Sequence, residues 1–222
     1  MLAVVCPDSQ AVPIMKFPSL CLALAVTLLA SATAPAQTVI FDNLSNGNNG
    51  FRGVTPTSWD AQRFNTDATN LFLVGATLNL NSGGGSGTFF LKLYSDNAGQ
   101  PGSAIATLYD GASLGSGAIV FNFSQLVTAS TNYWLVLGLD AGSTISLGWG
   151  VTSTLTGSGA GFQTNAGLTT NSGTNWQTFT NAPYQVKITA NTVPEPQTVA
   201  CFALGLAIVL AAKVRSLRRN RA

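Results

Sequence analysis

The middle of the chain alternates apolar and polar residues with a period of two over short segments. The first clear segment places Phe72, Val74, Ala76, Leu78 and Leu80 on one face. Later segments alternate in the same way, and their apolar positions are Phe89, Leu91 and Leu93; Ile119, Phe121 and Phe123; Tyr133, Leu135, Leu137 and Leu139; Ile145, Leu147, Trp149 and Val151; and Tyr184, Val186 and Ile188. This periodicity predicts β-strands with one buried face.

The connections between these segments carry the residues that tight turns need. Residues 81–87, 95–102 and 140–143 are rich in glycine, proline, asparagine and aspartate, which favours hairpins between antiparallel strands. Eight to ten strands would leave an apolar face exposed in a single open sheet. We therefore expect residues 37–192 to form one all-β domain, an antiparallel β-sandwich of jelly-roll type.

The N-terminal region has the pattern of a secretory signal peptide. An apolar run at residues 20–30 follows Lys16 and precedes small residues at 31–36. Residues 1–14 contain no basic side chain, which is unusual for the start of a signal peptide. Met15 is therefore the expected translation start.

Two positions satisfy the small-x-small rule for signal cleavage, one after Ala34 and one after Ala36. Cleavage after Ala34 would place Pro35 directly past the cut bond. We therefore expect residues 1–36 to be removed, which makes Gln37 the first mature residue.

The C-terminal region, residues 193–222, combines three features. Val193, Pro194, Glu195 and Pro196 form a stalk that cannot be helical, because proline lacks a backbone donor and fixes its own φ. An uncharged apolar run follows and predicts a short transmembrane helix over about residues 198–214. The basic residues at the end are Lys213, Arg215, Arg218, Arg219 and Arg221. By the positive-inside rule this end lies in the cytoplasm and the body lies outside.

The order of these three features resembles the PEP-CTERM sorting signal of exopolysaccharide-producing Gram-negative bacteria. The resemblance implies that the chain crosses the inner membrane, is held there as a precursor, and then reaches the cell surface or the extracellular matrix. It also implies an exosortase, a membrane-embedded processing enzyme, as the partner that acts at Pro194-Glu195-Pro196.

Several body segments resemble the bacterial choice-of-anchor ectodomains, particularly the R type. The matching residues are 59–64 (Trp-Asp-Ala-Gln-Arg-Phe), 93–97 with Pro101-Gly102, and 132–135 (Asn-Tyr-Trp-Leu). This resemblance implies a surface-displayed β domain and supplies no catalytic residue.

The body lacks most of the side chains that enzymes use for catalysis. The chain has no histidine, and its cysteines are Cys6, Cys21 and Cys201, all outside residues 37–192. Glutamate is also absent from the body, so six aspartates are its only carboxylates. The usual general bases, thiol nucleophiles and transition-metal ligands are missing, and we expect no enzyme activity, cofactor or metal. The few scattered cations also argue against nucleic acid as a partner.

Two polar regions of the body are candidate binding sites. Residues 96–100 offer oxygen ligands that calcium could use, although a hairpin turn is the preferred interpretation. Trp59, Trp176 and Phe179 are predicted to lie in polar loops, where they are candidate glycan contacts or plugs of the sandwich end. Trp134 and Trp149 lie in predicted strands and are expected in the core.

The function that this pattern favours is a non-enzymatic component of the cell surface or exopolysaccharide matrix. The alternative is a carbohydrate-binding module that recognises the matrix polysaccharide.

Overall fold

The structure, a computed structural model, describes residues 37–112, 115–193, 205–210 and 213. Its strands, in chain order, are β1 Thr38–Asp42, β2 Gly50–Val54, β3 Trp59–Asn65, β4 Leu71–Ser82, β5 Thr88–Asn97, β6 Gln100–Ala112, β7 Gly117–Val127, β8 Asn132–Leu139, β9 Leu147–Val151, β10 Ala166–Thr169, β11 Gln177–Phe179 and β12 Val186–Thr192. The chain divides into two compact units, and the larger one, Pro35–Glu195, holds all of these strands. In the other unit, residues 205–210 and Lys213 are helical.

The strands form two six-stranded antiparallel sheets. The first has the order β1-β12-β4-β9-β2, with β7 along the opposite edge of β4. The second has the order β11-β10-β3-β8-β5-β6. The all-β antiparallel fold predicted from the sequence is confirmed. The described residues contain twelve strands, more than the eight to ten expected, because short strands such as β10 and β11 give little periodic signal.

One hydrophobic core lies between the two sheets and contains nearly all of the predicted apolar positions. Phe89, Leu91 and Leu93 of β5 are fully buried there, and Trp149 packs in it against Tyr184 with ring centroids 4.7 Å apart. The strands β4, β7, β8 and β12 supply most of the remaining core. Burial of these apolar faces is the main driving force for the fold.

The prediction for β4 is wrong at its start. The regular pattern placed Phe72 and Val74 on the buried face, but Leu71 and Leu73 are buried there and Phe72 is 37% exposed. A β-bulge explains the change, because one step along β12 matches two steps along β4 between Leu73 and Gly75. An extra residue in a strand reverses the faces that follow it.

The second sheet also carries a buried aromatic layer on its outer face. Trp134, Phe90 and Tyr94 are buried in this layer, and Trp176 lies over them from the segment before β11. The loop before Trp176 packs closely, since a Cβ atom at Gly173 would lie 2.6 Å from the Trp59 ring. The 171–176 loop therefore covers what would otherwise be an exposed apolar face.

The predicted signal peptide with its cleavage residues Ala34 and Ala36, the residues Pro194 to Pro196, and most of the predicted membrane segment and basic cluster lie outside the described residues. Among those that are described, no helix is long and apolar enough to span a membrane.

Candidate functional site

The β5–β6 hairpin forms one wall of the most prominent polar region. Asn97 pairs with Gln100, so the loop contains only Ala98 and Gly99, with φ of 51° and 86°. Positive φ at both central residues is typical of a type I′ turn. The Gly99 backbone N–H donates to Asp96 Oδ2 at 3.1 Å. The turn interpretation of residues 96–100 is confirmed.

The Asp96 carboxylate joins this hairpin to the two neighbouring strands. Arg63 of β3 lies against it with Nε 2.9 Å from Oδ1, and its second nitrogen donates to Oδ2 at 3.1 Å. Trp134 of β8 donates its indole N–H to Oδ1 at 2.8 Å. With the Gly99 contact, the carboxylate accepts three hydrogen bonds in addition to the ion-pair contact of Arg63 Nε. Asp96 is therefore neutralised and fully engaged within the protein.

We expect calcium to leave the melting temperature of the protein unchanged. A calcium ion would have to displace Arg63 from Asp96, and the turn supplies no further carboxylate. Differential scanning calorimetry with millimolar calcium, and with magnesium as the comparison, tests this. A ligand selective for the native state raises the melting temperature by mass action, so a calcium-specific rise of several degrees would contradict it.

A polar cleft lies between the hairpin and the 173–176 segment. Its volume is about 770 Å³, and Trp176 forms part of its wall. Asp96 and Pro101 also line it. The lining side chains that carry hydroxyl or amide groups are Ser95, Asn97, Gln100, Ser103, Thr174 and Asn175. A second cleft of about 440 Å³ shares Ser95 and Asp96 with the first and extends towards Ser130 to Tyr133. We call the first cleft, between the hairpin and the 173–176 segment, the groove.

The structure brings two of the three candidate glycan contacts to one face. Trp176 lines the groove but is only 9% exposed, with its ring against Tyr94. Trp59 lies on the same outer face, packed edge-on against Phe90 at 4.9 Å, and its indole N–H donates to the Pro56 carbonyl. Phe179 packs elsewhere, against Tyr184 at 6.3 Å. None of the three therefore presents a widely open ring face for stacking. The prediction that Trp59 and Phe179 lie in loops is wrong, because Trp59 begins β3 and Phe179 ends the short strand β11.

Asp60 is a buried carboxylate whose importance the sequence analysis missed. It is fully buried, and Arg52 Nε lies 3.5 Å from its Oδ1. Burial raises the pKa of Asp60 from 3.8 to about 7, opposed in part by the Tyr184 hydroxyl and then by Arg52. Burial and the neighbouring Asp60 charge raise the pKa of the Tyr184 hydroxyl as well. Alternation along the strand could have revealed this burial, because Asp60 lies on the inward face of β3 together with Gln62 and Phe64.

The segment Trp59–Phe64, singled out by its resemblance to choice-of-anchor domains, has structural roles throughout. The buried Gln62 amide donates to the carbonyls of Gln163 and Asn165 and accepts from the Tyr184 backbone N–H. Arg63 binds Asp96 on the outer face, and Asp60 meets Arg52 on the inner side. These contacts tie β3 to the elements around it.

Within residues 37–112 and 115–193 no group of three or more acidic or cysteine side chains is arranged to hold a metal ion. A scan against models of known protein families gives no match, and no curated protein matches the chain.

Proposed function

We propose that this chain is an exported, non-enzymatic protein of the cell surface or exopolysaccharide matrix of a Gram-negative bacterium, sorted by a C-terminal signal of the PEP-CTERM type. Its body is a jelly-roll-like β-sandwich of the choice-of-anchor kind. A signal peptide directs it across the inner membrane, a C-terminal helix tethers the precursor, and an exosortase processes it.

The observation that carries this proposal is the agreement between the folded body and the predicted processing sites. β1 begins at Thr38, one residue after the predicted mature start at Gln37. β12 ends at Thr192, and the Val193 N–H still donates to the Asn70 carbonyl at 3.2 Å. Cleavage at either site would therefore remove none of the described strands. This favours a body that is complete after both cuts.

The surroundings of the aspartates support a non-enzymatic role. Asp60 is sealed from solvent and Asp96 is saturated by donors. Asp42 lies 3.5 Å from Lys187, and Asp140 accepts from the Thr88 hydroxyl at 2.6 Å. A general acid or base must reach a substrate proton, and these four carboxylates are instead occupied or buried.

We expect the mature protein to lose residues 199–222 after cleavage near Pro194-Glu195-Pro196. Two prolines keep the stalk extended, and a protease needs accessible extended backbone. Intact-mass analysis of the full chain, expressed in an exopolysaccharide-producing host with an exosortase, should show a protein that starts at Gln37 and ends near this motif.

The control for this experiment is the same host without its exosortase, where uncut precursor should accumulate in the membrane. Pro194→Ala with Pro196→Ala should have the same effect. Neutral replacement of Arg218, Arg219 and Arg221 should weaken membrane retention of the intermediate. A surface population that still ends at Ala222 in the exosortase-containing host would show that the tail is only an anchor.

A second candidate function is a carbohydrate-binding module that recognises the matrix polysaccharide. It is favoured by the groove beside the β5–β6 hairpin, which combines Trp176 with hydroxyl and amide side chains, the groups with which proteins commonly fix polar ligands. Retention of the purified protein by a polysaccharide tests this function.

A further inference from the structure

We propose that the groove is a binding site for a neutral glycan chain, with Gln100 on one wall and Asn175 on the other. This inference rests on the second candidate function and names the site and the class of ligand.

The side chains that line the groove carry no unpaired charge, and this indicates the class of ligand. Among the residues that the structure describes, the only ionised side chain that lines either cleft is Asp96, and its carboxylate is paired with Arg63 and saturated by Trp134 and Gly99. These lining residues leave no free positive charge for a phosphate or uronate group, and no free carboxylate for a cation. A neutral ligand suits this groove best.

The remaining lining groups suit hydroxyl groups of the ligand. The side-chain amides of Asn97, Gln100 and Asn175 make no hydrogen bond to other described residues, and all three are exposed in the cleft. An amide offers both donors and acceptors, and a sugar hydroxyl can be either. The three amides can therefore pair with hydroxyls on successive rings without demanding one fixed orientation.

Trp176 supplies an unused donor next to these amides. Its Nε1 atom is buried and lacks a hydrogen-bond acceptor among the described residues. A buried donor without an acceptor is costly to the folded protein. A ligand that brings a hydroxyl oxygen to the indole N–H would remove this cost.

The size and openness of the groove fit a chain rather than a single sugar. Its volume, about 770 Å³, lies within the range of about 300–1,000 Å³ that is common for ligand sites. It is open at the surface, so a polymer could lie along it without its ends being enclosed.

The test uses affinity gel electrophoresis of the full-length protein in mild detergent. The gels contain dextran, laminarin, galactomannan or xylan as neutral probes, and alginate as the anionic comparison. At least one neutral polysaccharide should retard the wild-type protein, and alginate should not.

Gln100→Ala with Asn175→Ala should weaken binding by about tenfold or more, since each lost hydrogen bond contributes about 0.5–1.5 kcal/mol. Trp176→Phe, which keeps the ring contact with Tyr94 but removes the N–H, should also weaken it.

The matched control is Asn122→Ala with Gln125→Ala on β7 of the other sheet, which should bind like wild type. Three outcomes overturn the inference in different ways. Wild-type binding that the groove variants leave unchanged would place the site elsewhere but keep the carbohydrate-binding function. Retention by alginate alone would keep that function and refute a neutral ligand. No retardation by any of the polysaccharides would refute the site and the second candidate function together.

Discussion

Asp60→Asn is expected to stabilise the protein at alkaline pH and to flatten its pH dependence. Because the pKa of Asp60 is about 7 in the folded protein and near 3.8 when unfolded, the folded state holds a proton that the unfolded state has already released between these values. The unfolding free energy of the wild type should therefore fall as pH rises through this window. Each pKa unit corresponds to about 1.4 kcal/mol, so the total fall is about 4 kcal/mol.

The Asp60→Asn variant carries no ionisable group at this position and should avoid this loss. We expect it to be roughly 2–4 kcal/mol more stable than wild type near pH 8 and similar to it near pH 4. Equilibrium urea unfolding at several pH values measures this directly. The absence of histidine from the chain removes the usual source of a slope between pH 5 and 8.

Asp110→Asn on the exposed side of β6 is the matched control, and its pH profile should follow that of wild type. A wild-type unfolding free energy that stays constant from about pH 4 to pH 8 would mean that Asp60 is ionised without penalty in the folded protein. A destabilised Asp60→Asn variant near pH 8 would show that the ion pair with Arg52 outweighs burial.

Asp96→Ala is expected to destabilise the protein by about 3 kcal/mol, because it leaves a largely buried cation without its partner. The side chains of Arg63 and Asp96 are only 18% and 16% exposed. The variant also removes the acceptor of the buried Trp134 indole and of the Gly99 N–H. Thermal and urea unfolding measure the loss, and the change in Trp134 surroundings should alter the fluorescence spectrum.

Asp67→Ala is the control, since Asp67 is exposed and, among the described residues, its carboxylate accepts only from the adjacent Ala68 N–H. Arg63→Met combined with Asp96→Ala should recover part of the lost stability, because no unpaired charge is then left beside Trp134. A loss below about 1 kcal/mol for Asp96→Ala would place this ion pair among ordinary surface pairs.

Part of the candidate site was predictable from the sequence. The turn at residues 96–100 follows from Asp, Asn and Gly between two alternating segments, and Trp176 was among the candidate glycan contacts. The partners of Asp96 were not predictable, because Arg63 lies 33 residues and Trp134 lies 38 residues away along the chain. Their meeting depends on the order β3-β8-β5 in the second sheet.

The surroundings of Asp60 also depend on contacts between residues that are far apart along the chain. Its place on the inward face of β3 follows from alternation, but its neighbours come from β2 and from the segment before β12. The packing of the 171–176 loop over the second sheet could not be predicted either, because this loop has no periodicity that indicates which face it covers.

The sequence by itself determined the strands with clear alternation, such as β5, β8 and β12, and their apolar faces, because alternation is a local property of extended backbone. Phe89, Leu91 and Leu93 could be assigned to the core on that basis alone. Only the tertiary structure decided the bulge in β4, the neutralisation of Asp96 and the groove beside Trp176. Each of these depends on which distant strands pair and in which register, and register follows from packing across the whole sheet.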